Sequence, residues 1–225
     1  MNQTAQIIQF PGTLPTKEKA KERKIRNIDG IKYLTEPQAK ALRRMVRDQA
    51  ATRKMTSIRE WMAVDLLISS GLRVSEAANL RCGDIKTHYG ESAVFVRCGK
   101  GAKSRTVEIP DSLKKHLRSF LIWKENQGEA TGPDDPLFIG QRGPWASSAI
   151  QQITKKYLRV LGIYEPGKSA HSLRHSYAVA YYRESGHDLR GLQKQLGHSS
   201  IQTTGQIYVD VSREDIQHSI KNLWN

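Results

Sequence analysis

A group of arginine and histidine side chains has the residue types and spacing needed to bind a phosphate group. His171, Arg174 and His175 lie three and four positions apart in the segment HSLRH, so a helix would place them on one face. Arg73 lies in GLRVSE, between residues typical of helix ends, where its planar guanidinium could bind two phosphate oxygens while Glu76 orients it. The same residues also fit a solvated helix face and a structural Arg–Glu pair, so the local pattern leaves both interpretations open.

Further candidates lie in two other segments. Lys100 and Lys103 belong to the glycine-bearing segment GKGAKSR, His198 belongs to LGHSS, and Tyr208 follows that histidine by ten residues. Taken singly, these are ordinary turn lysines, a histidine at a helix end and a tyrosine of the core. Their functional interpretation depends on the order of the segments along the chain.

Helical patterns dominate the part of the chain that must position these residues. Polar caps and glycines mark where the first helices begin and end. The predicted helices before GKGAKSR are one capped by Thr35 and continuing to about Ala50, one opened by a capping box of Ser57 and Glu60 and closed by Gly71, and a short one over 76–80 capped by Ser75.

One β-hairpin interrupts the helices. Residues 93–98 and 105–110 read as strands joined by a turn with lysines at its tip. The predicted fold class is therefore mainly α with a small β-hairpin or antiparallel sheet. The remaining predicted elements are a helix from Asp111 to about Lys124, a short strand over 137–139, and helices over 147–161, 172–185, 188–196, 200–207 and 212–223.

The charge of the chain favours a polyanionic partner. The 225 residues include 36 Lys and Arg against 22 Asp and Glu, a formal net charge of +14, as in proteins that displace counterions from a phosphate backbone. A merely soluble basic protein or a membrane-surface binder remains the alternative on charge alone. Residues 1–30 are polar and charge-dense and predict a flexible basic arm, whereas 31–225, in a chain that is 38% hydrophobic, predict one packed domain.

Cysteine usage and the apolar segments exclude other classes. Cys82 and Cys98 show no metal-ligand spacing, so neither a disulfide scaffold nor a zinc module is expected, and we predict no metal or cofactor. The sequence has no signal-like apolar region and no run of roughly 20 apolar residues, which predicts a cytoplasmic protein without membrane association.

The order and spacing of the segments resemble the catalytic domain of the tyrosine recombinases, also called the phage-integrase family. The resemblance covers roughly residues 32–220 and is carried by five ordered blocks. These blocks are GLRVSE at 71–76, GKGAKSR at 99–105, HSLRH at 171–175, LGHSS at 196–200 and the TT-x-x-IY pattern that ends at Tyr208.

The resemblance implies a role for each candidate in cleaving and rejoining duplex DNA through a 3′-phosphotyrosine. Arg73 and Arg174 would clamp the scissile phosphate, and Tyr208 would attack it. Lys100 would protonate the leaving 5′ oxygen, with Lys103 as the alternative on the same turn. The remaining implied roles are proton transfer or positioning by His171, a hydrogen bond to the phosphate from His198, and support from Glu76 and His175.

The sequence departs from the family pattern in three places. His198 and Tyr208 are separated by one residue more than is common in the family, and Gly205 looks like the insertion. Asp210 stands where a histidine is frequent. About 30 residues precede the resemblance, whereas the usual integrase has a separate helical domain there that completes a clamp around DNA. A short form of the family is therefore expected.

The resemblance also implies partners and leaves competing functions open. It implies double-stranded DNA, a tetramer on DNA with the last helix exchanged between neighbours, and a bacterial, phage or mobile-element source, with an accessory DNA-bending protein as a further partner. The competing functions are a non-catalytic DNA-binding regulator of the same fold and a type IB topoisomerase. The sequence does not determine the target site, or whether the outcome is integration, excision or inversion.

Overall fold

The computed structural model describes residues 33–97, 104–202 and 204, and these parts form a mainly helical fold with two small antiparallel sheets. This confirms the predicted fold class. The helices are α1 (Glu36–Ala50), α2 (Met55–Ser70), α3 (Val74–Ala78), α4 (Asp111–Asn126), α5 (Ser147–Val160), α6 (Ala170–Glu184) and α7 (Leu189–Leu196). The strands are β1 (Ile85–Lys86), β2 (Ala93–Val96), β3 (Arg105–Glu108), β4 (Ile139–Gly140) and β5 (Gly143–Pro144).

Helix α2 forms the centre of the core. It is apolar around most of its circumference, as expected of a helix that is surrounded by others. Helices α1, α4, α5 and α6 all pack against it. Its buried apolar side chains are Met62, Ala63, Val64, Leu66, Leu67 and Ile68.

Helix α1 begins where the sequence predicts. The side chain of Thr35 accepts a hydrogen bond from the backbone N–H of Gln38, and the Gln38 side chain accepts one from the backbone of Thr35. This reciprocal pair is a capping box. The preceding Leu34 is buried, and its backbone N–H donates to Ser176 Oγ at 2.8 Å, which ties the start of the described fold to α6.

The predicted hairpin is present as two strands of a three-stranded sheet. Strands β2 and β3 pair antiparallel, with Val96 opposite Arg105, and β1 adds to the other edge of β2. The hairpin tip lies outside the described residues. Arg105 is the first residue of β3, so its position is fixed by the pairing of this strand with β2.

The predicted starts of α2 and α3 are wrong. Helix α2 begins at Met55, with Ser57 buried inside it, because Glu60 turns toward α5 and accepts hydrogen bonds from Lys156 and Tyr157 instead of capping. Helix α3 spans Val74–Ala78 and not 76–80, because the Glu76 carboxylate accepts the backbone N–H of Arg73 and so starts the helix earlier than Ser75 would.

The C-terminal elements form a smaller apolar cluster between α6 and α7. Ala178, Leu192 and Leu196 are its buried residues. Helix α7 ends at Gly197 with a φ of 66°, the left-handed conformation that favours glycine at a helix end.

Of the predicted helix over 200–207, residues 201, 202 and 204 are helical, and the predicted arm over 1–30 and helix over 212–223 lie outside the described residues. Within the described ranges, no helix combines the length and the apolar character needed to cross a membrane.

Candidate functional site

Arg174 lies where α2, α6 and α7 meet. Its Nη1 donates to the Gly71 carbonyl at 2.7 Å, and its Nη2 donates to the Leu196 carbonyl at 2.8 Å. Both carbonyls are at helix C-termini, where backbone acceptors lack partners within the helix and carry partial negative charge. The side chain is only 5% exposed, so the guanidinium is held in one orientation by the ends of two helices.

Arg73 lies beside this position, at the turn between α2 and α3. Its Nη1 donates to Glu76 Oε1 at 2.8 Å, and its backbone N–H donates to Glu76 Oε2 at 2.8 Å. The same carboxylate is 3.9 Å from Arg174 Nη1. Glu76 therefore brings together the two arginines that were predicted from separate sequence segments, and the Arg73 side chain remains 37% exposed to solvent.

A third arginine, Arg105, completes this group and was not predicted as a site residue. Its two terminal nitrogens donate to the two oxygens of Glu76 at 2.8 and 2.9 Å, the parallel geometry of a strong guanidinium–carboxylate pair. Its Nε donates to the Gln195 carbonyl at 3.2 Å. The available sequence signal was its place at the end of GKGAKSR, one of the blocks that carries the family resemblance.

His198 faces Arg174 across a short distance. Its Nε2 lies 3.1 Å from Arg174 Nη2, and its Nδ1 lies 3.0 Å from Thr204 Oγ1. A guanidinium has no lone pair to offer, so Nε2 accepts from Arg174 and Nδ1 carries the proton that is donated to Thr204. The site thus brings together two predicted arginines and a predicted histidine: His198 bonds Arg174, and Arg174 lies 3.9 Å from the carboxylate that Arg73 contacts.

The carboxylate at the centre of the site is strongly stabilised in its charged form. Burial alone would raise the pKa of Glu76, but hydrogen bonds from Arg105 and Arg73 and the positive charge of Arg105 lower that pKa to about 2. Glu76 is therefore ionised at neutral pH. One negative charge faces three arginines, and this excess of positive charge suits an anionic ligand.

Both half-buried histidines of the site are neutral at neutral pH. Burial, together with the charges of Arg174, Arg73 and Arg105, lowers the pKa of His198 to about 4. Burial and the charges of His171 and Arg174 lower the pKa of His175 to about 4. Burial is the larger cause of both shifts, and the neighbouring positive charges lower the two pKa values further.

The HSLRH residues lie on the first turns of α6, as predicted. His171 is the second residue of the helix and is exposed, and its backbone N–H donates to Ser169 Oγ at 3.3 Å. His175 is half-buried one turn later, beside Arg174. Ser169, which was not predicted as the cap, starts α6 ahead of the predicted residue 172.

Three predicted site residues lie outside the described residues: Lys100, Lys103 and Tyr208, together with the inserted Gly205. Their sequence neighbours on the described side are nevertheless within the site. Arg105 follows Lys103 by two positions, and Thr204, the partner of His198, precedes Tyr208 by four.

The described part of the chain contains no candidate metal site. No group of three or more histidine, cysteine, aspartate or glutamate side chains there is arranged to hold a metal ion. Cys82, the cysteine within the described ranges, is buried and is not in a disulfide.

Comparisons with known proteins agree on one family. A model described as the phage integrase family matches residues 32–215. The tyrosine recombinase XerC of Caldanaerobacter subterraneus is 34% identical over 163 residues, which are 72% of this chain and 44% of that protein. The tyrosine recombinase XerA of Pyrococcus furiosus is 33% identical over 84% of this chain and 61% of its own length. This chain thus spans about half the length of such relatives.

Solved structures share the fold. The crystal structure of XerA recombinase superposes with a TM-score of 0.67 at 29% identity, covering 86% of this chain and 65% of that one. A XerH site-specific recombinase, solved as a pre-cleavage complex with its difH substrate, gives a TM-score of 0.69 at 23% identity, with coverage of 86% and 54%.

Proposed function

This chain belongs to the phage integrase family, and we propose that it is a site-specific recombinase that cleaves and rejoins duplex DNA through a 3′-phosphotyrosine. The observation that carries the proposal is the grouping of Arg73 and Arg174 at Glu76, with His198 against Arg174. Such a fixed group of cations and donors suits a phosphodiester whose non-bridging oxygens gain negative charge during in-line attack.

In this proposal Arg73 and Arg174 bind the non-bridging oxygens of the scissile phosphate. Arg174 is held by two backbone carbonyls, so little reorganisation is needed when the phosphate binds. His198 exchanges its acceptor role toward Arg174 for a hydrogen bond to a phosphate oxygen. His171, exposed at the start of α6, assists proton transfer or positioning. His175, one turn later in the same helix, supports His171.

Tyr208 supplies the nucleophile and Lys100 the general acid. The phenol of Tyr208 gives up its proton to His171, and its oxygen forms a bond to phosphorus as the bond to the 5′ oxygen breaks. Lys100 protonates that leaving oxygen. Lys103 is the alternative acid on the same turn. A 5′ hydroxyl then attacks the phosphotyrosine and reverses the step, so rejoining needs no nucleoside triphosphate and no metal.

The proposal extends to domains and partners. Residues 31–225 act as the catalytic domain, and residues 1–30 act as a basic arm that follows DNA. The net charge of +14 supports double-stranded DNA as the partner. Exchange of strands between two sites requires four active centres, so we propose a tetramer on DNA, with an accessory bending protein where the site geometry requires one.

The test uses trapped cleavage. Labelled duplexes that tile the DNA flanking the coding sequence, each with a nick near the presumed cleavage point, are incubated with the purified chain. A denaturant-resistant protein–DNA adduct is expected, and mass spectrometry of the digested adduct should identify Tyr208 as the modified residue. Tyr208→Phe should form no adduct, whereas Tyr89→Phe, which alters a fully exposed tyrosine of the β1–β2 loop, should retain it.

The alternatives predict different results. A DNA-binding regulator would bind the duplexes without forming an adduct, and Tyr208→Phe would not affect its function. A topoisomerase would relax plasmids that contain none of the cleaved sequences, whereas a site-specific recombinase should relax them poorly. DNA binding without an adduct on any duplex would overturn the recombinase proposal.

A further inference from the structure

Arg105 connects three parts of the candidate site that are far apart in sequence. It begins β3 and follows in sequence the segment that contains Lys100. It contacts Glu76 at the start of α3 and the Gln195 carbonyl at the end of α7. The side chain is 13% exposed, so these contacts are largely shielded from water.

The geometry points to Arg105 as a positioning residue of the cleavage reaction, and this inference rests on the proposed function. Its guanidinium holds the Glu76 carboxylate by both oxygens, and that carboxylate in turn orients the guanidinium of Arg73. Arg105 thereby sets the position of a phosphate-binding arginine without itself being assigned to the phosphate.

The two guanidinium groups hold Glu76 differently, because the Arg73 guanidinium contacts only one of its oxygens. Arg73 uses one guanidinium nitrogen on Oε1 and its backbone N–H on Oε2, while Arg105 contacts both oxygens in parallel. The bidentate pair restrains the carboxylate relative to the Arg105 guanidinium, and the carboxylate then presents Oε1 to the single guanidinium nitrogen by which Arg73 contacts it. The direction in which Arg73 points therefore depends on Arg105.

Arg105 also bears on the position of His198. A Cβ built on Gly197 would lie 2.7 Å from Arg105 Cδ and 2.9 Å from Cζ, so the arginine side chain lies directly against the backbone that precedes His198. Gln195 extends this connection, since its side chain accepts from the backbone N–H of Glu108 on β3 at 3.1 Å. The strand and the end of α7 are thus joined at two adjacent points, and the hairpin cannot shift without moving this turn.

The experiment compares Arg105→Gln and Arg105→Lys with a matched control, Arg97→Gln. Arg97 is also on the hairpin and also pairs with a carboxylate, Asp84 at 2.7 Å, but it lies outside the Glu76 group. The readouts are the rate of adduct formation on a nicked duplex, the affinity for the same duplex, and the thermal unfolding midpoint.

Arg105→Gln is expected to slow adduct formation by roughly 10–100-fold, as loss of an orienting partner commonly does, with DNA affinity within about threefold of wild type. Arg105→Lys should restore part of the rate, because a lysine keeps the charge but cannot contact both oxygens and the carbonyl. Arg97→Gln should cleave at the wild-type rate. If Arg105→Gln does not fold, the lysine variant decides, and a wild-type rate for a folded Arg105 variant overturns the inference.

A double substitution separates positioning from a general loss of stability. If Arg105 acts through Glu76, the variant with both Arg105→Gln and Glu76→Gln should cleave about as slowly as the slower single variant. Multiplied losses would show that Arg105 acts independently of Glu76, which contradicts the inference.

Failure of the proposed function gives a different result. If wild type forms no adduct on any duplex, that function is wrong. The role of Arg105 is then tested by titrating wild type and Arg105→Gln with inorganic phosphate and following the His198 ring signals by NMR. The expected result is roughly tenfold weaker phosphate binding in Arg105→Gln than in wild type. Equal binding would overturn the positioning role.

Discussion

Nη2 of Arg174 lies 3.1 Å from Nε2 of His198, and this contact fixes the protonation of the histidine. The guanidinium only donates, so Nε2 is an acceptor and the ring is neutral, in agreement with its lowered pKa. A phosphate oxygen is an acceptor as well, so it can bond Nε2 only if Nε2 carries a proton. In the proposed reaction, binding of the scissile phosphate must therefore move a proton to Nε2 or turn the ring.

The first prediction is that DNA binding raises the pKa of His198. A phosphate anion offsets the charges of Arg174, Arg73 and Arg105 that help to hold this pKa near 4, so the complex should take up a proton at about pH 6. Calorimetric titrations in two buffers of different ionisation enthalpy measure this uptake. His198→Gln should reduce this uptake, and His88→Gln, a change in an exposed loop, should not. Equal uptake by wild type and His198→Gln would contradict the prediction.

The second prediction concerns Arg174→Lys. A lysine keeps the charge but cannot donate at once to the Gly71 and Leu196 carbonyls and to His198, so buried acceptors lose partners. We expect a loss of roughly 2 kcal/mol in the free energy of unfolding and at least about 100-fold in the rate of adduct formation. Urea unfolding and the nicked-duplex assay measure the two effects.

The control for that substitution is Arg44→Lys, on the exposed face of α1. It should change neither quantity measurably, because no described hydrogen bond or ion pair depends on this guanidinium. If both variants cleave alike, the fork geometry of Arg174 has no role.

The third prediction separates steric crowding from backbone strain. Gly71 and Gly162 have nearly the same φ, 64° and 68°. A Cβ on Gly71 would lie 2.3 Å from Cδ1 of Tyr177, whereas one on Gly162 would meet no atom within 4 Å. Gly162→Ala should therefore cost about 1 kcal/mol from the left-handed backbone alone. Gly71→Ala should cost roughly 1–3 kcal/mol more because the rigid ring must move. Equal losses in urea unfolding would mean that the ring yields freely.

The fourth prediction concerns Glu76 and acid. Its folded pKa is about 2 against an ordinary value of 4.5, so the carboxylate stabilises the fold above pH 4.5, and this contribution disappears as pH falls through about 2. The shift corresponds to about 3 kcal/mol. Glu76→Gln should be less stable than wild type at neutral pH, and the difference should shrink with acidification.

Denaturant unfolding across that pH range measures the effect, with Glu91→Gln as the control in an exposed loop. The control should follow the wild-type curve. A difference between Glu76→Gln and wild type that stays constant from neutral to strongly acidic pH would show that the carboxylate is not responsible.

Local signals predicted much of the fold because they act over a few residues. The Thr35 cap and the glycines at the ends of α2 and α7 satisfy or relieve nearby backbone groups, so residue type alone indicates them. The same reasoning failed for Ser57 and Ser75. Glu60 bonds Tyr157 on α5 instead of capping α2. Glu76 caps α3 at Arg73, and its carboxylate is also bound by Arg105 from the hairpin.

The sequence by itself predicted Arg73, His171, Arg174 and His198 as one group, from the order of the segments and the helical spacing. The tertiary structure alone decided how they are held. Arg174 donates to the carbonyl of Gly71, 103 positions away, and Arg105 donates to the carboxylate of Glu76, 29 positions away. Such contacts depend on how α2, α6, α7 and the hairpin pack, and the few-residue range of caps and periodicity carries no information about that packing.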